Sequence, residues 1–284
     1  MAEAAGNVWK YGDSESYHLK AALAAQHGVA PQNILIGEGI DGLLGYLVRL
    51  MIGPGDKVVT SLGAYPTFNF HVAGFGATLH RVPYRGDHED PEALLDMARA
   101  TGAKLIYLAN PDNPMGSHHP AAVIAQMIEA VPEGSLLILD EAYVEFAPEG
   151  TAPKLDPQDR RVIRMRTFSK AYAMAGARIG YAIAHPDLIA SFDKIRNHFG
   201  VTRMSQIAAH AALADQDWLH HVVAQVIAGK EQIAAAAAEH GLRHIASAAN
   251  FVAVDCGRDG AFALAVLQSL ESRGVFVRKP MAPG

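Results

Sequence analysis

Cysteine and long apolar runs are both scarce in this sequence, and each scarcity excludes a class of protein. Cys256 is the one cysteine among 284 residues, so no intrachain disulfide can form, and we expect a reducing compartment such as the cytoplasm. The best candidate for a membrane span, LVRLMI at 47–52, contains Arg49 and is far shorter than the roughly 18–20 residues that cross a bilayer. The first residues also lack the basic and apolar regions of a secretory signal. We therefore expect neither a membrane span nor a disulfide framework.

Basic residues are not in excess. Lys and Arg total 24 against 29 Asp and Glu, which gives a formal net charge of −5. This balance argues against nucleic acid or an anionic membrane as the main partner. Hydrophobic residues make up 50% of the chain, enough for a sizeable core, and the length allows one large domain or two unequal ones. No metal site is expected.

Strand-like and helix-like segments alternate along the first two thirds of the chain. Apolar, strand-like runs occupy 33–37, 56–60, 78–83, 103–110, 135–141, 161–167 and 178–184. Helical patterns lie between most of them, such as PEALLDMARATG at 91–102. The strand-like runs are continuously apolar, which is typical of a parallel sheet covered on both faces. The pattern predicts an α/β fold with a mostly parallel central sheet and helices on both faces.

The pattern changes after His185-Pro186. Residues 186–240 are predicted to be mostly helical, and strands at 250–255 and 274–279 flank a predicted helix near 260–273. These segments predict the start of a second, smaller α+β unit. We therefore divide the chain into an N-terminal arm (1–14), a large domain (15–200) and a small domain (201–284).

Two segments resemble nucleotide-binding motifs, and each lacks what its motif requires. GEGIDG at 37–42 follows a predicted strand, but a dinucleotide site also needs an acidic residue at the end of the next strand, where Ser61 stands. LLILDE resembles a Walker B strand, whose partner motif G-x-x-x-x-G-K-[ST] is missing from the sequence. The glycine turn still predicts a helix N-terminus whose backbone N–H groups can bind some phosphate.

Polar residues that suit pyridoxal phosphate chemistry lie where predicted strands end. They belong to NPDNPMG (110–116), LLILDEAY (136–143) and RTFSKAYAMAGARIGY, which begins at Arg166. A lysine can bind the cofactor aldehyde covalently, an acid can pair with the pyridinium nitrogen, and cationic and hydroxyl groups can hold the phosphate. The sequence therefore predicts an enzyme that uses this cofactor.

These motifs carry a resemblance that covers nearly the whole chain, from Tyr11 to Arg278. YGDSESYHLKAAL, YPTFNF, NPDNPMG, DEAYVEF and RTFSKAYAMAGARIGY are similar, in order and spacing, to segments of fold-type I pyridoxal phosphate aminotransferases. Within that group the chain resembles the histidinol-phosphate aminotransferase family. The combination of NPDNPMG, DEAY and a lysine eight residues before an arginine is specific, whereas each motif alone is a weak signal.

The resemblance implies three catalytic residues. Lys170 would bind the cofactor covalently and then carry the proton between the substrate Cα and the cofactor. Asp140 would keep the pyridine nitrogen protonated. Tyr143, together with Asn113, would hydrogen-bond the cofactor oxygen O3′.

The resemblance also implies a phosphate site. Arg178 is expected to bind the phosphate, since its guanidinium fork suits a dianion. The hydroxyls of Thr167 and Ser169 are expected beside it. The remaining phosphate contacts are expected from the backbone amides of Gly39, Ile40 and Asp41.

Three further matches concern the cofactor ring, the neighbouring subunit and the substrate. Phe68 corresponds to the aromatic residue that stacks on the ring, which is commonly tyrosine in the family. Tyr11 corresponds to a tyrosine that reaches the cofactor phosphate and substrate of the neighbouring subunit, which implies a homodimer with shared active sites. Arg278 corresponds to an arginine that helps to bind the substrate phosphate. Family members continue to a carboxylate-binding arginine that has no counterpart here, so a fragment is one expectation.

The implied reaction is transamination between a small-molecule amino donor and a 2-oxo acid. L-histidinol phosphate with 2-oxoglutarate is the expected pair, as in histidine biosynthesis. An aromatic amino acid aminotransferase and a threonine-phosphate decarboxylase remain open, because the same lysine site serves all three reactions. A pyridoxal-phosphate-binding fragment without turnover is the alternative outside the enzymes.

Overall fold

The computed structural model describes residues 2–280, apart from the side chain of residue 3, and contains a seven-stranded sheet in the order β1-β7-β6-β5-β4-β2-β3. The strands are β1 Ile34–Gly37, β2 Lys57–Ser61, β3 Thr78–Val82, β4 Leu105–Ala109, β5 Leu136–Asp140, β6 Val162–Thr167 and β7 Gly180–Ile183. A separate two-stranded pair consists of β8 Arg243–His244 and β9 Val254–Asp255. Each strand predicted before residue 185 is therefore present, with ends that differ by a few residues.

Ten helices accompany the strands within the described residues. They are α1 Ala2–Ala5, α2 Tyr17–His27, α3 Gly39–Met51, α4 Thr67–Gly74, α5 Pro91–Thr101, α6 Ala121–Glu129, α7 Pro186–Ser191, α8 Arg203–Ala214, α9 Gln216–Glu239 and α10 Gly260–Glu271. Capping residues set the two ends of α5. The Asp90 side chain accepts a hydrogen bond from the backbone N–H of Ala93 at the start, and Gly102 ends the helix in the left-handed conformation. No helix within 2–280 combines the length and apolarity that crossing a membrane requires.

The two faces of the sheet are covered by different helices. Successive residues of β4 alternate between two buried clusters, with Leu105 and Tyr107 on the side of α3 and α4. Ile106 and Leu108 lie on the other side, with α5 and α6. Because both faces are buried, the strands are apolar along their whole length, as the sequence predicts.

The sheet is parallel from β3 to β6, and β7 is the exception. β7 runs antiparallel to both of its neighbours, β6 and β1. A parallel connection needs a crossover, usually a helix, and the link between β6 and β7 (168–179) contains only a short 3-10 turn, Ala175–Ala177. Because of this reversal, the link stays at the edge of the sheet where β6 ends. It contains the predicted site residues Ser169, Lys170 and Arg178.

The C-terminal part differs from the prediction. Of the two strands expected there, 250–255 is reduced to Val254–Asp255, and 274–279 forms no strand. Phe276 in the latter segment is 82% exposed, so its apolar pattern is not buried against another element. A strand needs a paired neighbour for its backbone hydrogen bonds, and local sequence does not supply that neighbour.

Candidate active site

A cleft lies at the carboxyl edge of the parallel strands and contains about 750 Å³ of empty space, its open mouth included. The register of the sheet creates it, because Ala109 pairs with Asp140 and Asp140 pairs with Met165. The turns that follow β4, β5 and β6 therefore converge. Of the predicted site residues, those that line the cleft are Ile40, Asp41, Asn113, Asp140, Tyr143, Thr167, Ser169, Lys170 and Arg178.

Asp140 is the last residue of β5 and is buried at the floor of the cleft. Its Oδ2 accepts a hydrogen bond of 2.7 Å from the Tyr107 hydroxyl, and its Oδ1 accepts one of 2.9 Å from the backbone N–H of Ala142. Burial raises the pKa of Asp140 above its usual range, while these two donors and the positive charge of Lys170 act to lower it. The carboxylate thus has one fixed orientation.

Lys170 lies three residues after the end of β6, on the link that returns to β7. Its Nζ is 5.1 Å from the centre of the Tyr143 ring. The start of the link is held because the backbone N–H of Ser169 donates to the Thr167 hydroxyl at 3.1 Å. Lys170 therefore faces the same cleft as Asp140, with an aromatic ring beside its amine.

Tyr143 and Asn113 come from different turns and meet in the cleft. The Asn113 side-chain amide donates a 3.0 Å hydrogen bond to the Tyr143 hydroxyl oxygen. Burial raises the pKa of Tyr143 to about 12, against the opposing effects of Asn113 and the charge of Arg278. Tyr143 consequently stays protonated, and its hydroxyl can donate a hydrogen bond to an oxygen atom of a ligand.

Arg178 and the first turn of helix α3 form an anion-binding corner of the cleft. The Arg178 guanidinium donates a 2.8 Å hydrogen bond to the backbone oxygen of Ala175, and longer ones to the Ser169 hydroxyl (3.4 Å) and the Glu38 backbone oxygen (3.5 Å). Helix α3 begins beside it at Gly39, and no side chain caps its first turn. The free backbone N–H groups and the helix dipole favour a negatively charged group at this corner.

Gly39 is required by this corner for two reasons. Its φ of +81° is strained for residues with a side chain, and a Cβ there would lie 2.6 Å from Arg178 Nη2. Only glycine lets the guanidinium come so close to the helix N-terminus.

The residues present fit pyridoxal phosphate. An arginine, a buried carboxylate, a lysine and a tyrosine line the cleft, and an uncapped helix begins beside the arginine. These groups complement a phosphate, a pyridine nitrogen, an aldehyde and a phenolic oxygen, respectively. Residues 2–280 contain no group of three or more His, Cys, Asp or Glu side chains arranged to hold a metal ion.

Phe68 is not among the residues that line the cleft. It is fully buried and stacks on Tyr107, with ring centres 4.9 Å apart and planes at 16°. Tyr107 and Tyr65 line the cleft, whereas Phe68 lies behind Tyr107. Direct stacking of Phe68 on the cofactor stays a prediction. In the sequence, the signal that could have drawn attention to Tyr107 is its hydroxyl, the one polar side-chain atom in the apolar strand LIYLA.

Tyr11 and Arg278 are not among the residues that line the cleft. Tyr11 is 81% exposed and its ring centre is 5.0 Å from that of Phe199, so it does not line the cleft of its own chain. Arg278 is exposed and outside any strand, yet its charge is near enough to lower the pKa of Tyr143. Their expected contacts with a partner subunit and with substrate stay predictions.

Comparison with known proteins shows similarity to aminotransferases at the level of the family and of individual proteins. The family described as "Aminotransferase class I and II" matches residues 2–284. Histidinol-phosphate aminotransferase 2 of Carboxydothermus hydrogenoformans is 34% identical over 98% of this chain and 77% of its own length. The corresponding protein of Ralstonia nicotianae is 36% identical over 98% of this chain and 75% of its own.

A solved structure is more similar still. The crystal structure of histidinol-phosphate aminotransferase from Sinorhizobium meliloti in complex with pyridoxal-5′-phosphate is 53% identical. It superposes with a TM-score of 0.96 over 98% of this chain and 77% of that one.

Proposed function

The chain belongs to the aminotransferase class I and II family, and we propose that it transfers the amino group of L-histidinol phosphate to 2-oxoglutarate. It is a pyridoxal-phosphate-dependent aminotransferase. The observation that carries the assignment is the convergence of Lys170, Asp140 and Arg178 on one cleft. The histidinol-phosphate aminotransferases similar to this chain support the choice of substrate.

The proposed mechanism divides the work between the cofactor and the chain. When bound, pyridoxal phosphate supplies an aldehyde that holds an amine and a ring that accepts electrons from the substrate Cα. Lys170 provides the amine that anchors the cofactor between turnovers. During turnover its Nζ would take a proton from the substrate Cα and release it again, as a general base and acid.

The other residues hold and tune the cofactor. Asp140 places a negative charge against the ring nitrogen and keeps a proton there, since a buried, oriented carboxylate stabilises the adjacent cation. Tyr143 and Asn113 bind the phenolic oxygen as a pair. Arg178, Ser169, Thr167 and the amides of Gly39, Ile40 and Asp41 bind the phosphate.

Assembly and location belong to the proposal too. A homodimer with shared active sites is supported by an exposed aromatic surface near the N-terminus that includes Trp9 (77% exposed), Tyr11 (81%) and Tyr17 (69%). Tyr11 would enter the partner's cleft, and Arg278 would bind the substrate phosphate. A single free cysteine supports a cytoplasmic location. The proposed division places an N-terminal arm before residue 15 and a small domain after residue 200.

The test is the visible absorbance of protein loaded with pyridoxal phosphate. L-histidinol phosphate is expected to remove the band of the lysine-bound cofactor, and 2-oxoglutarate is expected to restore it. Glutamate, phenylalanine and threonine phosphate are added in parallel, and the Lys170→Ala variant is the control. A response only to phenylalanine would indicate an aromatic amino acid aminotransferase. A band that no amine changes would indicate cofactor binding without turnover.

A further inference from the structure

We propose that Tyr107 is a positioning residue for Asp140, whose carboxylate it holds charged and in one orientation toward the cofactor's ring nitrogen. This inference rests on the role of Asp140 in the proposed function. It adds a residue that does not contact the reacting atoms and acts through its hydrogen bond.

The sheet register brings the two side chains together. Tyr107 pairs with Ile138 across β4 and β5, and Asp140 lies two residues further along β5. Side chains two residues apart on a strand share a face, so Asp140 lies diagonally across from Tyr107. The long tyrosine side chain spans that diagonal and brings its hydroxyl to 2.7 Å from Asp140 Oδ2.

The buried Tyr107 hydroxyl would destabilise the fold if it had no hydrogen-bond partner. Tyr107 is 1% exposed in a strand that is otherwise entirely apolar, LIYLA. A buried hydroxyl without a hydrogen bond destabilises a fold, whereas phenylalanine would fill the same space without that cost. The partner that the structure provides is Asp140, and the stacked Phe68 ring holds Tyr107 in the orientation that reaches it.

The charges around Asp140 show why a donor is needed. Lys170 is the cation nearby, while Glu141 adds negative charge. Burial and this acid favour the neutral carboxyl of Asp140, and the Tyr107 hydrogen bond favours the carboxylate. Burial also raises the pKa of Tyr107 well above its usual value, so its hydroxyl remains a donor throughout the working pH range.

Loss of the donor has a defined consequence. Without it Asp140 becomes more basic, and the proton between its carboxyl and the ring nitrogen moves toward the carboxyl. The ring then accepts electrons less readily, and the turnover number is expected to fall about ten- to a hundredfold, as for loss of one hydrogen bond to a charged group.

The experiment compares Tyr107→Phe with Tyr181→Phe in protein loaded with pyridoxal phosphate labelled with ¹⁵N in the ring. Tyr181 is the matched control, because it is 2% exposed and its hydroxyl lies 2.9 Å from His27 Nε2, on a strand away from Asp140. The ¹⁵N resonance is measured without substrate. It is expected at the protonated position in wild type and in Tyr181→Phe, and displaced toward the unprotonated position in Tyr107→Phe.

A second variant keeps the test decisive if Tyr107→Phe does not fold. Replacement of Tyr107 by 4-aminophenylalanine leaves a weaker donor in place and is expected to give an intermediate resonance, which a packing role alone would not produce. A resonance equal to that of wild type in both Tyr107 variants would overturn the proposal. An unprotonated nitrogen already in wild type would overturn the role of Asp140 as well, so the two failures are distinguishable.

Discussion

Substitution of Gly39 by alanine tests the anion-binding corner directly. The added Cβ would lie 2.6 Å from Arg178 Nη2 and 3.3 Å from its Cζ, so the guanidinium must move away from the helix N-terminus. Loss of a charge-assisted hydrogen bond from that group to the phosphate is worth about 1.5–3 kcal/mol. We therefore expect the dissociation constant for pyridoxal phosphate to rise roughly 10- to 150-fold.

Backbone strain must be separated from this effect. Alanine at a φ of +81° costs roughly 1–2 kcal/mol of stability wherever it occurs. Gly102→Ala is the matched control, since Gly102 has a φ of +66° and no atom within 4 Å of an added Cβ. Both variants should lose similar thermal stability, and Gly39→Ala alone should lose cofactor affinity.

The assay is a titration of each purified variant with pyridoxal phosphate, followed by absorbance and tryptophan fluorescence, beside thermal melts of the cofactor-free proteins. Unchanged affinity in Gly39→Ala would refute the assignment of the corner to the phosphate. Equal weakening in both variants would attribute the loss to strain.

The remaining predictions concern single side chains. Arg178→Lys keeps the charge but loses the fork, so the dissociation constant for pyridoxal phosphate should rise about tenfold in the same titration, and an unchanged value would argue against bidentate binding. Asp140→Asn should still bind cofactor yet lose roughly a hundredfold or more in transamination rate, and an undiminished rate would exclude its electronic role. Glu145 has a buried Oε2 without a hydrogen bond among the described residues, and burial raises its pKa to about 7 despite nearby Arg166. Because the raised pKa means that ionisation destabilises the folded state, Glu145→Gln should be more stable than wild type by up to about 3 kcal/mol above pH 7. The gain should vanish below about pH 4.5, and urea unfolding at pH 4 and pH 8 would contradict this if the difference did not depend on pH.

The large sheet and most of the cleft were predictable from sequence for identifiable reasons. Strands such as β4 and β5 are continuous apolar runs, and this pattern is local. Asp140 is the last residue of β5 and Lys170 lies three residues after the end of β6, so the parallel pairing of these strands was enough to predict that the two side chains converge.

The features that the sequence did not predict depend on contacts between distant segments. The reversed direction of β7 is set by its neighbours, whereas its apolar pattern is the same in either direction. The bond from Tyr107 to Asp140 requires the register of two strands, and the position of Phe68 behind Tyr107 requires the packing of α4 on the sheet. The expected strand at 274–279 lacks a pairing neighbour, which no local pattern specifies.

The most direct test of the account is to locate the lysine that binds the cofactor and to observe its response to substrate. Protein loaded with pyridoxal phosphate is reduced with borohydride, digested and analysed by mass spectrometry, with and without prior L-histidinol phosphate. The account predicts a label on Lys170, loss of that label after L-histidinol phosphate, and its return when 2-oxoglutarate is added. A label on another lysine, or a Lys170 label that L-histidinol phosphate leaves unchanged, would contradict it.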